Sequence, residues 1–350
     1  MSAAHGVLAL ELSYWQVSVL RSVGILAAVL LPAGTFVYVF LFKMVSFMQS
    51  RLGPMEAGPY GSMQLLAEVG KFIQKEDIVP ERADRQLFKV APYLVVGTVL
   101  LVYLAVPFGP DMTFVSNLEG GVFYILAISS ISTLGVLLAG WSSANKYSLT
   151  GGLRAAGQLI AYELPMVLAV VGVVIQAGTM NLQGIVAAQA TGSIFGFDGI
   201  GNPFFLTQFI GLGIFLIATQ AELNQTPFDM PIAESELVSG FMTEYSGLRF
   251  LLFFIGEFAS AGAFAAVAAT LFMGGWAVPD AWADLDSNWF NLIGPLLMLT
   301  KMMLIGGLIF FVRFTFPRFR EDQLQKLAWT VLIPISLANI LATTILKVAF

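Results

Sequence analysis

An all-α, polytopic membrane fold follows from three features of the sequence. Mean hydropathy is +0.82 and 57% of residues are hydrophobic. Only 11% are charged, against roughly 25% in a soluble domain. Apolar stretches of about 20 residues, enough to cross a hydrocarbon layer as helices, recur along the whole chain. No soluble core hides that much apolar surface, so the surrounding solvent is lipid.

Eight spans are expected, near 22–42, 88–108, 118–141, 157–178, 203–222, 248–274, 290–312 and 327–348. The seventh is interrupted only by Lys301. The charge-free run 164–197 is too long for one helix, so its span is ended near Gly178 and followed by a loop. No basic segment or small-residue cleavage site precedes the first apolar run, so no cleaved signal peptide is expected and the first span acts as a signal anchor. The whole chain, 1–350, reads as a single membrane domain.

Basic residues give the sidedness. Lys43, Arg51, Lys71, Lys75, Arg82, Arg85, Lys89, Lys146, Arg154, Arg249, Arg313, Arg318, Arg320 and Lys326 all fall on one side of the expected spans. That is the positive-inside pattern. It puts loops 43–87, 142–156, 221–247 and 313–326 in the cytoplasm and both termini in the periplasm. In the first loop, apolar Met63, Leu65, Leu66, Val69, Phe72 and Ile73 alternate at helical spacing with Glu68, Lys71 and Lys75. An amphipathic helix lying in the membrane interface is expected there. The third loop carries Glu222, Asp229, Glu234, Glu236 and Glu244 without a base.

Chemistry is bounded first by what is missing. The chain has no cysteine and one histidine, His5, so it cannot ligate an iron–sulfur cluster or a structural zinc by itself. Ionisable groups inside spans are candidates for function. Glu163 stands about 9 Å into the fourth expected span at ~1.5 Å per residue, followed by Pro165. Glu257 lies in the sixth span and Lys301 in the seventh. One reading pairs Glu257 with Lys301 structurally. The other joins Glu163, Glu222, Glu234, Glu236, Glu244 and Glu257 as a proton-conducting series of carboxyls. Pro227 and Pro231 bracket Phe228-Asp229-Met230, and irregular backbone at membrane depth lines a cavity.

The loops taken together resemble the H subunit of bacterial respiratory complex I, the NADH–quinone oxidoreductase. The resemblance is carried by Gln49, Arg51, Gly53-Pro54, Gly58-Pro59, Gly61, Ala67-Glu68, Lys71 and Lys75-Glu76-Asp77 in the first loop. The second contributes Asn145 to Leu149, Gly152 to Ala156, Gln158 and Tyr162-Glu163-Leu164. The third contributes Ala221-Glu222, Asn224, Pro227-Phe228-Asp229, Glu234 to Val238, Gly240 and Thr243 to Gly247, with Glu257 beyond it.

The resemblance implies a membrane subunit of a proton-translocating oxidoreductase in a bacterial inner membrane. Gln49, Arg51, Gly53, Pro54, Glu68, Phe228 and Asp229 would contact quinone. Glu163, Glu222, Asp229, Glu234, Glu236, Glu244 and Glu257 would form the start of the proton path. FMN and iron–sulfur clusters would sit in partner subunits, no metal in this chain. The partners would be the cluster-bearing and quinone-site hydrophilic subunits, small membrane-arm subunits and lipid, with no nucleic acid.

The chain also departs from the family pattern. Met55-Glu56-Ala57 replaces the usual Asn-Arg-Val, Gln225-Thr226 replaces an arginine, and Ile232 replaces a glutamate. Two other functions fit the fold: the membrane anchor of a related hydrogenase or of a ferredoxin- or F420H2-dependent oxidoreductase, and an ion-coupled secondary transporter. The transporter predicts an internal inverted repeat, and the acidic loop 221–247 has no counterpart in the first half.

Overall fold

The computed structural model describes residues 34–109, 118–191, 201–277 and 287–349. His5 and positions 22–33 of the first expected span lie outside the described residues. The described residues are helical without a strand. The principal helices are α1 (Gly34–Met48), α2 (Gln64–Gln74), α3 (Arg85–Ala105), α4 (Gly121–Ser142), α5 (Lys146–Ala177), α6 (Leu182–Thr191), α7 (Phe209–Glu222), α8 (Gly247–Phe272), α9 (Ser287–Thr315) and α10 (Glu321–Val348). Six of these are long and apolar enough to cross a membrane, while α1 and α7 are shorter apolar helices. Six of the eight expected spans are matched by these long helices; α7 falls within the fifth, and α1 overlaps the described part of the first.

The helix ends follow local capping chemistry. The Asp84 side chain accepts from the backbone N–H groups of Gln86 and Leu87 and starts α3. Asn145 does the same for Tyr147 and starts α5. Such caps satisfy N–H groups that a helix leaves without partners. Gly178, at φ 75°, closes α5 in the left-handed conformation that glycine adopts without strain.

The largest departure from the sequence reading is the start of α5. The helix begins at Lys146 rather than near 157, so most of the expected second loop is helix. Its glycines are packing devices rather than loop residues. A Cβ on Gly140 of α4 would lie 2.9 Å from the Cα of Gly152, and a Cβ on Gly151 would lie 2.7 Å from the Cα of Gly240. Close backbone approach at glycine is a common way to join helices in lipid. Pro165 is accommodated inside α5 and does not end it. A further helix, α6, occupies a stretch expected to be loop. Its buried Gln189 donates to the carbonyls of Thr270 and Leu271 at the end of α8 and accepts from the N–H of Phe204.

The alanine-rich α8 is the deepest element. Ala259, Ala261, Ala263, Ala265, Ala266, Ala268 and Ala269 are all buried, so α3 and α9 pack closely on it. The amphipathic helix α2 forms where its periodicity predicts and packs on α8 through stacked Phe72 and Phe250, 5.5 Å apart. Residues 223–246 fold back against the starts of α3 and α5 and the end of α4. Tyr245 stacks on Phe88 at 4.0 Å and its hydroxyl donates to the Phe88 carbonyl. Burial pushes the Tyr245 phenol up to about 12, against the pull of Ser142, Arg249 and Ser143.

Gly240 fixes this loop. It has φ +56°, and a Cβ would sit 1.8 Å from the Pro231 carbonyl oxygen. Gly240→Ala is expected to displace residues 231–243 and to prevent stable accumulation of the protein in the membrane. An immunoblot of the membrane fraction at wild-type level would refute that expectation.

Candidate functional site

One buried amide anchors the start of the acidic third loop. Gln158 of α5 directs its Nε2 at the carbonyls of Ala221 (2.8 Å) and Phe228 (2.9 Å) and lies 3.2 Å from Asn224 Oδ1. A buried donor without these oxygens would cost about 1–3 kcal/mol, so the contact sets where the loop lies. Phe228 packs edge-on against Tyr162, 5.1 Å between centroids, and against Phe319. Tyr162 in turn donates to the Leu324 carbonyl of α10.

The bases missing from the acidic loop come from other segments. Arg318 meets Asp229 at 2.8 Å, Arg154 meets Glu236 at 2.8 Å, and Arg313 meets Glu257 at 2.7 Å. Burial raises the Asp229 carboxyl above its ordinary range, and Arg318 draws it only part of the way back. Glu257 also accepts from Gln225 Nε2 at 3.1 Å. The Glu257–Lys301 pair, the alternative structural reading, does not form. In antiparallel α8 and α9, Lys301 lies about 18 Å from Arg313 along the helix at ~1.5 Å per residue. Its amine instead donates to the Gly275 carbonyl beyond the far end of α8.

Between α3, α4, α5, α8 and the loop lies a cavity of about 60 Å³. Glu222 and Glu257 both line it, with Ser132, Ser260, Asn224 and Ile232. A space of roughly 10–15 Å³ admits one water, so this one has room for several. The Oε2 atom of Glu222 is buried without a protein partner. Glu163 lies within electrostatic reach of Glu222 and accepts a hydrogen bond from Ser130 of α4. Glu257 and Glu222 thus face one enclosed space, with Glu163 near Glu222. Among the described residues no group of three or more potential ligands could hold a metal.

The family model described as NADH dehydrogenase matches residues 20–344. A relative from Brevibacillus brevis, the H subunit of NADH-quinone oxidoreductase, is 43% identical over 323 residues, covering 92% of this chain and 90% of its own. The chain belongs to this family of H subunits. A relative of the same name from Anoxybacillus flavithermus is 40% identical over 341 residues and 97% of both chains. A second H subunit, from Syntrophobacter fumaroxidans, is 42% identical over 328 residues, 91% of this chain and 92% of the relative. The chain is accordingly a multi-pass membrane subunit of an oxidoreductase complex.

The residues that the family resemblance implies for quinone fall into two groups. Gln49 and Arg51 bond to each other at 2.7 Å on an exposed turn after α1. Gly53 and Pro54 pack back on that helix end, where Lys43 donates to the Pro54 carbonyl at 2.7 Å, and Glu68 lies on α2. Phe228 and Asp229 belong to the other loop and pack against α5 and the segment before α10.

Of the acids, Glu222 and Glu257 line the cavity, and Glu163 lies within electrostatic reach of Glu222. Glu244 accepts from the Asn145 side chain. Glu234 and Glu236 stand exposed on the short turn Glu234–Leu237. Sequence reasoning does not single out Arg313, Arg318, Ser130 or Gln225 as partners. The arginines register there only as markers of sidedness, and no spacing links them to acids that are 56 and 89 residues away.

Proposed function

We propose that this chain walls the quinone chamber of a proton-translocating NADH–quinone oxidoreductase and carries the first part of its proton path. The basic end of the bundle faces the cytoplasm and the electron-carrying subunits, in which the FMN and iron–sulfur clusters sit. The quinone headgroup reaches the third loop near Phe228 and Asp229, with Gln49, Arg51, Gly53, Pro54 and Glu68 forming the approach. Reduction draws protons, and Asp229, Glu257, Glu222 and Glu163 supply and relay them; Glu234, Glu236 and Glu244 take the outer positions. The observation that carries this reading is that Glu222 and Glu257, from different helices, share one cavity directly beneath the loop. Close carboxyls in a poorly hydrated space do not all ionise at once, so proton uptake at one displaces charge at the next.

The test separates buried from exposed acids in the assembled complex. Glu257→Gln and Glu222→Gln are each expected to lower NADH–quinone reduction by roughly 10²-fold, the lower end of what a positioned proton-transfer group contributes. NADH–ferricyanide electron transfer should persist, because the redox centres lie in other chains. Glu236 holds an exposed outer position where Glu234 and water can take up protons in its place, so Glu236→Gln breaks only an exposed pair, worth about 0.2–1 kcal/mol, and should leave the rate within twofold. Equal effects at all three positions would sink the cavity as the route.

A further inference from the structure

An apolar groove of about 440 Å³ runs between α7, α9 and the start of α10. Gly213 and Ile217 of α7 form one wall, and Leu308 and Val312 of α9, with Phe316 just beyond, form the other. Phe228 of the third loop, Phe319 and Leu327 stand at its basic end. Gln220, the one polar residue in the lining, already donates to the Thr226 carbonyl. The groove is separate from the approach assigned to quinone. By helical spacing Phe310 and Arg313 lie on the opposite face of α9, where Phe310 stacks on Phe40 of α1 at 5.4 Å.

Arg320 follows Phe319 and Lys326 precedes Leu327, so two exposed bases flank the mouth. Arg320 has only the exposed Asp322, 3.3 Å away, and such pairs are weak. Lys326 is in none of the ion pairs among the described residues. The neighbouring acids Asp229 and Glu321 face Arg318 and Arg154 instead. Trp329, one turn further along α10, is exposed. Tryptophan beside Lys and Arg marks the headgroup level, and basic pockets between spanning helices there take anionic headgroups. From Leu308 to Phe316 the groove covers about 12 Å, close to one leaflet of a ~30 Å hydrocarbon core. A spanning helix would need a face about twice as long. Gly213 alone among the lining residues is small, so no second backbone packs closely along it. We propose that the groove holds one acyl chain of an anionic phospholipid, with its phosphate at Arg320 and Lys326. The chain end of that lipid touches α7 and α9, and its upper part touches Phe228 and Phe319, outside the quinone chamber.

The experiment uses the whole complex, labelled by a phosphatidylglycerol that carries a photo-reactive diazirine in one acyl chain. Irradiation is expected to mark residues 213–220 and 308–316 well above the outer face of α10. Unlabelled phosphatidylglycerol should displace the label at a concentration roughly 10- to 30-fold below that needed of phosphatidylcholine, the preference that two bases near the surface confer. Arg320→Gln with Lys326→Gln should erase that preference. Gly213→Leu is a second arm, because a Cβ there meets nothing within 4 Å in this chain. Its side chain enters the groove without a clash and should lower the labelling of 308–316 while the complex still assembles. Labelling no stronger than on α10, or equal displacement by both lipids, would overturn the proposal. So would absence of labelling in the groove, as a covering helix would give. Displacement by excess quinone would overturn it as well, by making the groove part of the quinone's own route.

Discussion

Replacing Arg313 with leucine should leave little assembled, active complex. The Glu257 carboxylate would keep only the Gln225 amide beside it, in an environment where side-chain exposure is just 19%. Breaking a buried ion pair by removing one partner costs about 3–5 kcal/mol, a large share of the ~5–15 kcal/mol that holds a domain together. Leucine keeps the packing against Phe258, Phe310 and Phe314, over which the guanidinium now lies, so the loss isolates the charge. Two second-site changes then divide stability from function. Arg313→Leu with Glu257→Gln should recover assembly on native gels but not quinone reduction, because the pair is neutral and the proton carrier is gone. Arg313→Leu with Gln225→Arg should recover both in part, since the side chain at 225 already reaches Glu257. Normal assembly and activity of Arg313→Leu alone would show that the pair is dispensable.

A second large effect is expected where the chain departs from its family. Gln225 touches Glu257, and Ile232 lines the cavity that Glu257 and Glu222 share. Gln225→Arg alone brings a second guanidinium to a carboxylate already paired with Arg313. Ile232→Glu alone adds a third carboxyl to a cavity of about 60 Å³. Each uncompensated charge should cost about 3–5 kcal/mol and lower assembly or quinone reductase activity. The double variant supplies the new acid with a new base and should recover part of both losses. Two silent single variants, or a double showing only the summed losses, would mean the positions are uncoupled. Glu56, the remaining departure, is exposed on the first loop. It therefore meets water or headgroups rather than Ile232.

Spans are legible in the sequence because lipid imposes one demand on every turn of a helix, so hydropathy over about 20 residues is a local signal. The amphipathic α2 is legible for a related reason: its period places Leu65 and Phe72 against protein and Met63, Leu66 and Ile73 outward. Three ordered motifs in the loops point to the family.

What stays hidden depends on long-range contact. The paired glycines Gly151 and Gly152 look like a loop locally, and only the approach of Gly140 and Gly240 makes them helix-packing positions. The acids of the third loop look alike in sequence. Tertiary structure alone separates exposed Glu234 and Glu236 from Glu222 and Glu257 at the cavity. It also assigns the bases: Arg313 to Glu257 and Arg318 to Asp229, while Lys301 goes to a backbone carbonyl. By itself the sequence determined that the chain crosses a membrane, which end is basic, which family it joins and that it ligates no iron–sulfur cluster of its own. The partner of each charge was decided by the fold, because a charge pair depends on distance through space, and hydropathy and spacing report only neighbours along the chain.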